Sequence, residues 1–250
     1  MTKKRIRIFA GPNGSGKTSL AHELVGEGKF SPSVFVNADE IEKEIKETSC
    51  LDFDRYNIQL DLQGLCDFFY QKGMSISKLN DRNIPLNFYA TSNRLYYKSD
   101  INSYITSDLA AYIRKELLFS QKGFWFETVF SHSSKLDLMV TAKKLGYKVY
   151  FYFIATDSPE INVDRVKVRV KKAGHDVPHD KIISRYYRSL ELLIDAIKVS
   201  DRAFLFDNSN QISRLICEVT DGNRVEMHNV DKGVPNWFVE YVYNKSKTRL

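Results

Sequence analysis

At 250 residues, with 43% hydrophobic and 27% charged side chains, the chain has the make-up of one large folded domain with a sizeable core. No apolar run approaches bilayer-spanning length, Met1–Arg5 leads into a strand pattern, and Cys50, Cys66 and Cys217 lack metal-ligand spacing, so a cytoplasmic protein with reduced thiols is expected. The formal net charge of +6 suits a site for phosphate groups; no recognition motif accompanies it, and neither nucleic acid nor membrane is expected as a partner.

The first predicted element is a strand, Arg5–Ala10, which alternates and then turns fully apolar. It runs directly into Gly11-Pro12-Asn13-Gly14-Ser15-Gly16-Lys17-Thr18, which satisfies G-x-x-x-x-G-K-[ST] in the strand-to-helix setting that this phosphate-binding loop requires. Its glycines let successive N–H groups turn toward phosphate oxygens, and the helix beginning near Lys17 adds the positive end of its dipole. Lys17 is the residue type that reaches the β and γ phosphates, and Thr18 the one whose hydroxyl ligates Mg²⁺. The loop therefore predicts an ATP or GTP site over Gly11–Thr18.

The helix runs through Leu20, Leu24 and Val25 and ends around Gly26–Gly28. After a turn at Ser31-Pro32-Ser33, the short apolar strand Val34–Val36 delivers Asn37-Ala38-Asp39-Glu40 at its C-terminal end, and a charged helix, Ile41–Lys46, follows. Tyr56–Lys72 has helical spacing and stops at Gly73. Asn80–Asp100 is polar and aromatic without clear periodicity, an excursion that is either a lid or substrate loop or an inert insertion; 48–103 is a candidate insertion as a whole. Tyr104–Ser120 is a helix, and Gly123–Phe126 a third strand ending in Glu127-Thr128.

Beyond a helix over Leu136–Leu145, Tyr147–Ala155 is the longest apolar run and reads as a central fourth strand. Pro159–Lys172 is a basic helix, broken by Ala173–Pro178, and Asp180–Ser200 is a second long one. Ala203–Phe206 is the fifth strand, ending in Asp207-Asn208-Ser209. A hairpin of Ile212–Val219 with Arg224–His228, and a helix over Pro235–Tyr243, form a C-terminal extension (211–250) packed on the same domain as 1–210. The alternation predicts an α/β P-loop fold: a doubly wound, parallel, five-stranded sheet with helices on both faces. Asp39, Glu127 and Asp207 then all lie at strand C-terminal ends, on the rim that carries the loop.

Phosphoryl transfer needs phosphate grip, a metal, a positioned acceptor and charge stabilisation. Asp39 stands where a carboxylate can take the acceptor's proton; its competing role is a helix N-cap. Glu127 is placed for the acceptor or the metal's surroundings, with Thr128 and Ser131 as weaker hydrogen-bonding candidates. Arg165 and Arg169, spaced i, i+4, share one helix side and can close over a transferring phosphate with Gly174 as pivot; Arg185 is a third candidate for the nucleotide. His175 and His179 read as loop histidines.

These residues resemble the zeta-toxin-type kinases, in Gly11–Thr18, Asn37-Ala38-Asp39, Phe126-Glu127-Thr128-Val129, the Arg165–Arg169 helix, Gly174-His175-Asp176-Val177-Pro178, Arg185–Leu190 and Asp207-Asn208-Ser209. The resemblance spans about Arg5 to Ser209, outside Thr48–Asp100. It implies a P-loop kinase that transfers phosphate from ATP or GTP, with Mg²⁺, to a hydroxyl of a small molecule such as the nucleotide sugar UDP-N-acetylglucosamine. Asp39 then matches the base, Lys17 the phosphate lysine and the Arg165/Arg169 helix the arginine-bearing lid, and an antitoxin protein is the implied partner. Two other functions fit the residues: a polynucleotide 5′-hydroxyl kinase, and a non-catalytic module gated by nucleotide.

Overall fold

In chain order the protein forms β1 (Arg5–Ala10), α1 (Lys17–Gly26), β2 (Val34–Val36), α2 (Ala38–Thr48), β3 (Cys50–Asp52), α3 (Leu62–Lys72), β4 (Phe88–Thr91), β5 (Arg94–Tyr97) and α4 (Ser103–Phe119). There follow β6 (Phe124–Thr128), α5 (Ser134–Lys144), β7 (Lys148–Ala155), α6 (Pro159–Lys171), α7 (His179–Glu191), α8 (Leu193–Val199), β8 (Arg202–Asp207), β9 (Arg214–Thr220) and β10 (Arg224–Met227). A helical segment closes the chain through Asn236–Phe238, Val239–Asn244 and Lys245–Thr248. The structure is a computed structural model and describes residues 4–30, 33–72, 86–97, 101–172, 176–210 and 212–248. The expected turn at Ser31-Pro32, the stop at Gly73, part of Asn80–Asp100, and the break with its pivot at Ala173-Gly174-His175 lie outside the described residues.

Two compact units result, one of Met1–Pro32 with Trp125–Leu250 and one of Ser33–Phe124. In the first, the strands run β10-β9-β8-β7-β1-β6. The β1/β7 and β7/β8 pairs are parallel, as the alternating pattern requires. Phe9, Tyr152 and Phe204 stand in register on these three strands, and their rings stack at 4.6 and 4.8 Å. That is the spacing between hydrogen-bonded strands, so the sheet itself sets the ring stack. The other side of β7 buries Phe151 and Phe153 completely, and Trp237 of the C-terminal segment lies 6.2 Å from Phe153. The expected C-terminal hairpin is present, but β9 pairs antiparallel with β8, so the hairpin extends the sheet beyond its parallel strands. The long helix expected over Asp180–Ser200 divides at Leu192 into α7 and α8.

The second unit holds a three-stranded antiparallel sheet, β3-β5-β4. Its β4–β5 hairpin falls where the sequence showed no periodicity. The reason is local: two strands of four residues leave little alternation to read, and the turn Ser92-Asn93 takes left-handed backbone (φ 47 and 61) without a glycine. Asn93 suits that conformation and fixes its surroundings, accepting from Leu60 N at 2.7 Å and donating to the Ile58 carbonyl at 3.0 Å. Helix α4 is capped by Asn102 and buries Asp108 and Arg114, where burial pulls the guanidinium down to about 10. Among the described residues no helix is long and apolar enough to cross a membrane.

Candidate active site

Strand β1 ends at Ala10 and the phosphate-binding loop begins at once. Gly11 N–H donates to the Thr128 carbonyl at the end of β6 (3.3 Å), and a side chain at Gly11 would meet the Ile154 carbonyl oxygen of β7 at 2.1 Å. Gly16 is the N-cap of α1 with φ +94, a left-handed conformation that disfavours any side chain, and no side chain caps that helix end. The N–H groups of the first helical turn have no intrahelical acceptor. An uncapped amino end in a cradle that a Cβ would fill is the donor set an anion requires. Ser15 is fully buried, and its Oγ has no hydrogen-bond partner among the described residues.

Two asparagines hold the loop from outside. Asn162, fully buried on the first turn and a half of α6, donates to the Asn13 carbonyl at 2.6 Å, while its own oxygen accepts from the Thr156 hydroxyl at the end of β7. Asn208, just past β8, donates to the Ser15 carbonyl at 2.8 Å. Tyr186 of α7 donates its phenolic proton to the Thr156 carbonyl at 2.7 Å, and burial raises its pKa, so it remains a donor at neutral pH.

Within this frame Lys17 Nζ donates to the carbonyls of Gly11 (3.0 Å) and Pro12 (2.8 Å), which places its ammonium on the loop's N-terminal limb. Thr18 Oγ1 donates to Glu127 Oε2 at 2.8 Å. This bond turns the hydroxyl proton toward the carboxylate and leaves the oxygen lone pairs facing away from it, as a metal ligand needs. Among the described residues no group of three His, Cys, Asp or Glu side chains gathers to hold a metal. Arg185 reaches the loop through Asn13 Oδ1 at 3.5 Å. Arg165 is half-buried and donates from Nη2 to the Asn210 carbonyl at 3.0 Å; Arg169 is exposed on the last turn of α6. Thr128 Oγ1 accepts from Phe130 N–H at 3.1 Å, and His179 is exposed beside Asp180.

The unit thus brings together the loop, Lys17, Thr18, Glu127 and Arg185. Asp39 belongs to the other unit. There the N-cap role falls to Asn37, whose Oδ1 accepts from Asp39 N–H at 2.8 Å, and the Asp39 side chain is exposed on the first turn of α2. Asp207 ends β8 as expected, but its side chain is 2% exposed, and its carboxylate accepts from Ser209 Oγ (2.6 Å), Trp237 Nε1 (3.2 Å) and Arg214 Nε (3.3 Å). Burial of three donors around it commits Asp207 to the fold, and its neighbour Asn208 touches the loop instead. Asn162 has no assigned role in the sequence reading, because a buried amide on a charged helix carries no motif, and Asn208 enters it only within Asp207-Asn208-Ser209, without its contact to the loop.

No protein-family model matches the chain. Over 64 residues, 26% of this chain, it is 39% identical to an uncharacterized protein of Haemophilus influenzae, of which that match covers 46%, about half its length. Among solved structures it is similar to the AvrRxo1-ORF1:-ORF2 complex with ATP, with a TM-score of 0.55 at 15% identity over 92% of this chain and 62% of that one. The PezAT chromosomal toxin–antitoxin system of Streptococcus pneumoniae aligns with a TM-score of 0.52 at 11% identity, over 97% of this chain and 80% of that one. The loop geometry, the parallel strands around it and these likenesses agree: the chain has the fold of the zeta-toxin-like P-loop kinases.

Proposed function

We propose that this protein is a kinase that transfers the terminal phosphate of ATP or GTP to a hydroxyl of a small molecule, with UDP-N-acetylglucosamine as the first acceptor to test. The observation that carries this reading is the Thr18–Glu127 hydrogen bond inside an uncapped phosphate loop: a hydroxyl oriented for a metal beside a carboxylate is an arrangement for turnover. A solved likeness that contains ATP supports the nucleotide, and one that is a toxin–antitoxin system supports an antitoxin protein as partner.

In this reading Gly11–Thr18 bind the phosphates through backbone N–H groups, and Lys17 meets the β and γ oxygens. Thr18 would ligate Mg²⁺ with Glu127 holding its hydroxyl; when bound, the ion neutralises charge on the β and γ oxygens. Arg185 adds a planar cation at the same limb of the loop, and Arg169 is the exposed contributor on the surface of α6. Asp39 takes the proton of the acceptor hydroxyl as that oxygen bonds to the γ phosphorus and the β–γ bridging bond breaks, leaving a nucleoside diphosphate.

The test is incubation with Mg²⁺-ATP and UDP-N-acetylglucosamine, followed by mass spectrometry of the sugar nucleotide, with Asp39→Asn in parallel. The expected result is a gain of one phosphoryl group by the wild type and a loss of at least 100-fold in rate in the variant, with ATP affinity kept. An unchanged sugar nucleotide refutes that acceptor, and equal turnover in Asp39→Asn refutes the base.

A further inference from the structure

We propose that the open edge of the sheet at β10 is a self-pairing surface: two copies of this chain join β10 to β10, antiparallel, about a two-fold axis at Val225. This surface is separate from the phosphate loop and does not depend on the reaction proposed above.

Among the described residues β10 (Arg224–Met227) ends its sheet, and all four of its residues are exposed. Val225 and Met227 stand opposite Val219 and Cys217 of β9, which stand opposite Ala203 and Leu205 of β8. The four on β8 and β9 are buried, whereas Val225 is 60% and Met227 38% exposed. One apolar row thus crosses three strands and ends uncovered at the edge. The other face of β10 carries Arg224 and Glu226, and Glu226 stands opposite Glu218, a like-charge pair. Arg202 Nε donates to Glu218 at 2.7 Å and answers that carboxylate; Glu226 lies 3.8 Å from His228 Nε2, beyond hydrogen-bond reach.

The backbone limits what can pair there. His228 N–H donates to the Ile216 carbonyl at 2.8 Å, so in this register the even-numbered residues of β10 bond to β9. Backbone groups alternate along an antiparallel strand, which leaves the N–H and C=O of Val225 and Met227 pointing away from β9. A partner strand must meet them in the same phase, so a slip of one residue is forbidden. A two-fold at Val225 sets that residue against its own copy and opposes Arg224 to the second copy's Glu226, twice. The next allowed registers, one on either side, oppose Arg224 to Arg224 or Glu226 to Glu226. Charge therefore selects one register, and selects this same strand as the partner.

Proteins guard strand edges with like charge, proline or bulges. β10 has no proline, its ladder with β9 runs in unbroken register, and its two charges are opposite in sign. The edge is also held in place in advance. Asp221 N–H donates to the Asp201 carbonyl at 2.9 Å, and Asn229 Nδ2 to the Leu215 carbonyl at 3.0 Å. The turn packs so closely that a Cβ on Gly222 would meet the Lys198 carbonyl oxygen at 2.8 Å. Pairing then orders little that is not already ordered.

The experiment is sedimentation velocity on the full chain, from about 5 to 500 μM, for the wild type, Val225→Pro, Arg224→Glu, Glu226→Arg and the double variant. The wild type is expected to pass from monomer to dimer with a dissociation constant on the order of 10–100 μM, since two short strands make a small interface. Val225→Pro removes an N–H that points away from β9, so it is expected to abolish the dimer with little change in Tm. Each charge variant opposes like charges at both pairs and is expected to weaken the dimer about tenfold; the double variant restores opposite charges and is expected to recover it. An equal mixture of Arg224→Glu and Glu226→Arg is expected to form a mixed dimer, because each offers the charges that the other lacks. That recovery also shows that the single variants are folded. A wild type that stays monomeric overturns the proposal. So does a dimer that the single variants leave intact, or one that neither the double variant nor the mixture recovers.

Discussion

Asn162→Ala tests whether a buried amide on α6 shapes the phosphate loop. The wild-type side chain is fully buried and makes two bonds, to the Asn13 carbonyl and from the Thr156 hydroxyl. Thr156 Oγ1 also lies 3.1 Å from the Ser158 carbonyl and can donate there alone, so that loss is largely compensated. The Asn13 carbonyl loses a donor in a place that water reaches poorly, which costs about 1–3 kcal/mol. The vacated volume adds about 1 kcal/mol, since Gly14 packs so tightly on this turn that a Cβ there would meet the Asn162 carbonyl oxygen at 2.6 Å. The sum, about 2–4 kcal/mol, corresponds to a fall of roughly 5–10 °C in Tm for a chain of this size. ATP affinity should fall at least tenfold, because the loop no longer starts in its binding shape. Differential scanning fluorimetry with and without Mg²⁺-ATP reads both effects. A variant with wild-type Tm and an unchanged ATP-induced shift would refute the reasoning.

Gly16→Ala strains a backbone at φ +94 by about 1–2 kcal/mol and drives a methyl into Asn208; nucleotide binding should be lost with little change in circular dichroism, and adding Asn208→Ala should restore it only in part. Full restoration would mean that contact alone, and not backbone conformation, requires the glycine. Cys217 is completely buried, and burial pushes its thiol up to about 12. A raised pKa means less thiolate at pH 8, so iodoacetamide should label the half-buried Cys50 well before Cys217, which reacts only on unfolding; equal rates by peptide mass spectrometry would contradict the burial.

What could be read from the sequence divides along the range of the interactions. The loop Gly11–Thr18 declares itself because each of its residue types answers a local demand of phosphate binding, and β7 because eight consecutive residues suit a strand covered on both faces. The β4–β5 hairpin stayed hidden because its strands are too short to show a period and its turn uses Ser-Asn in place of glycine. Asp207 illustrates a different limit. Its strand-end position was legible, but the indole that buries it comes from Trp237, thirty residues further on, and nothing near Asp207 announces that contact. Arg165 and Arg169 share a helix face in any ideal helix; that one is tied to Asn210 and the other exposed depends on a loop from another strand.

The same long-range contacts explain how the loop is ready for phosphate before any arrives. In a planar trans peptide the N–H points opposite to the C=O. Asn162 pulls the Asn13 carbonyl toward α6, so the Gly14 N–H of that peptide must face the other way; Asn208 does the same to the Ser15 carbonyl and thereby to the Gly16 N–H. An amide suits this task better than a charged donor would. It orients the carbonyl while adding no net charge, so it neither draws a phosphate out of the loop as a second cation would nor repels it as an anion would. The two anchors come from the ends of different strands, β7 through Thr156 and Asn162, and β8 through Asn208. A shift of either strand relative to β1 would rotate one N–H out of the cradle. In the proposed function the parallel sheet is therefore part of the binding site: its register sets the direction of the donors that a triphosphate would meet.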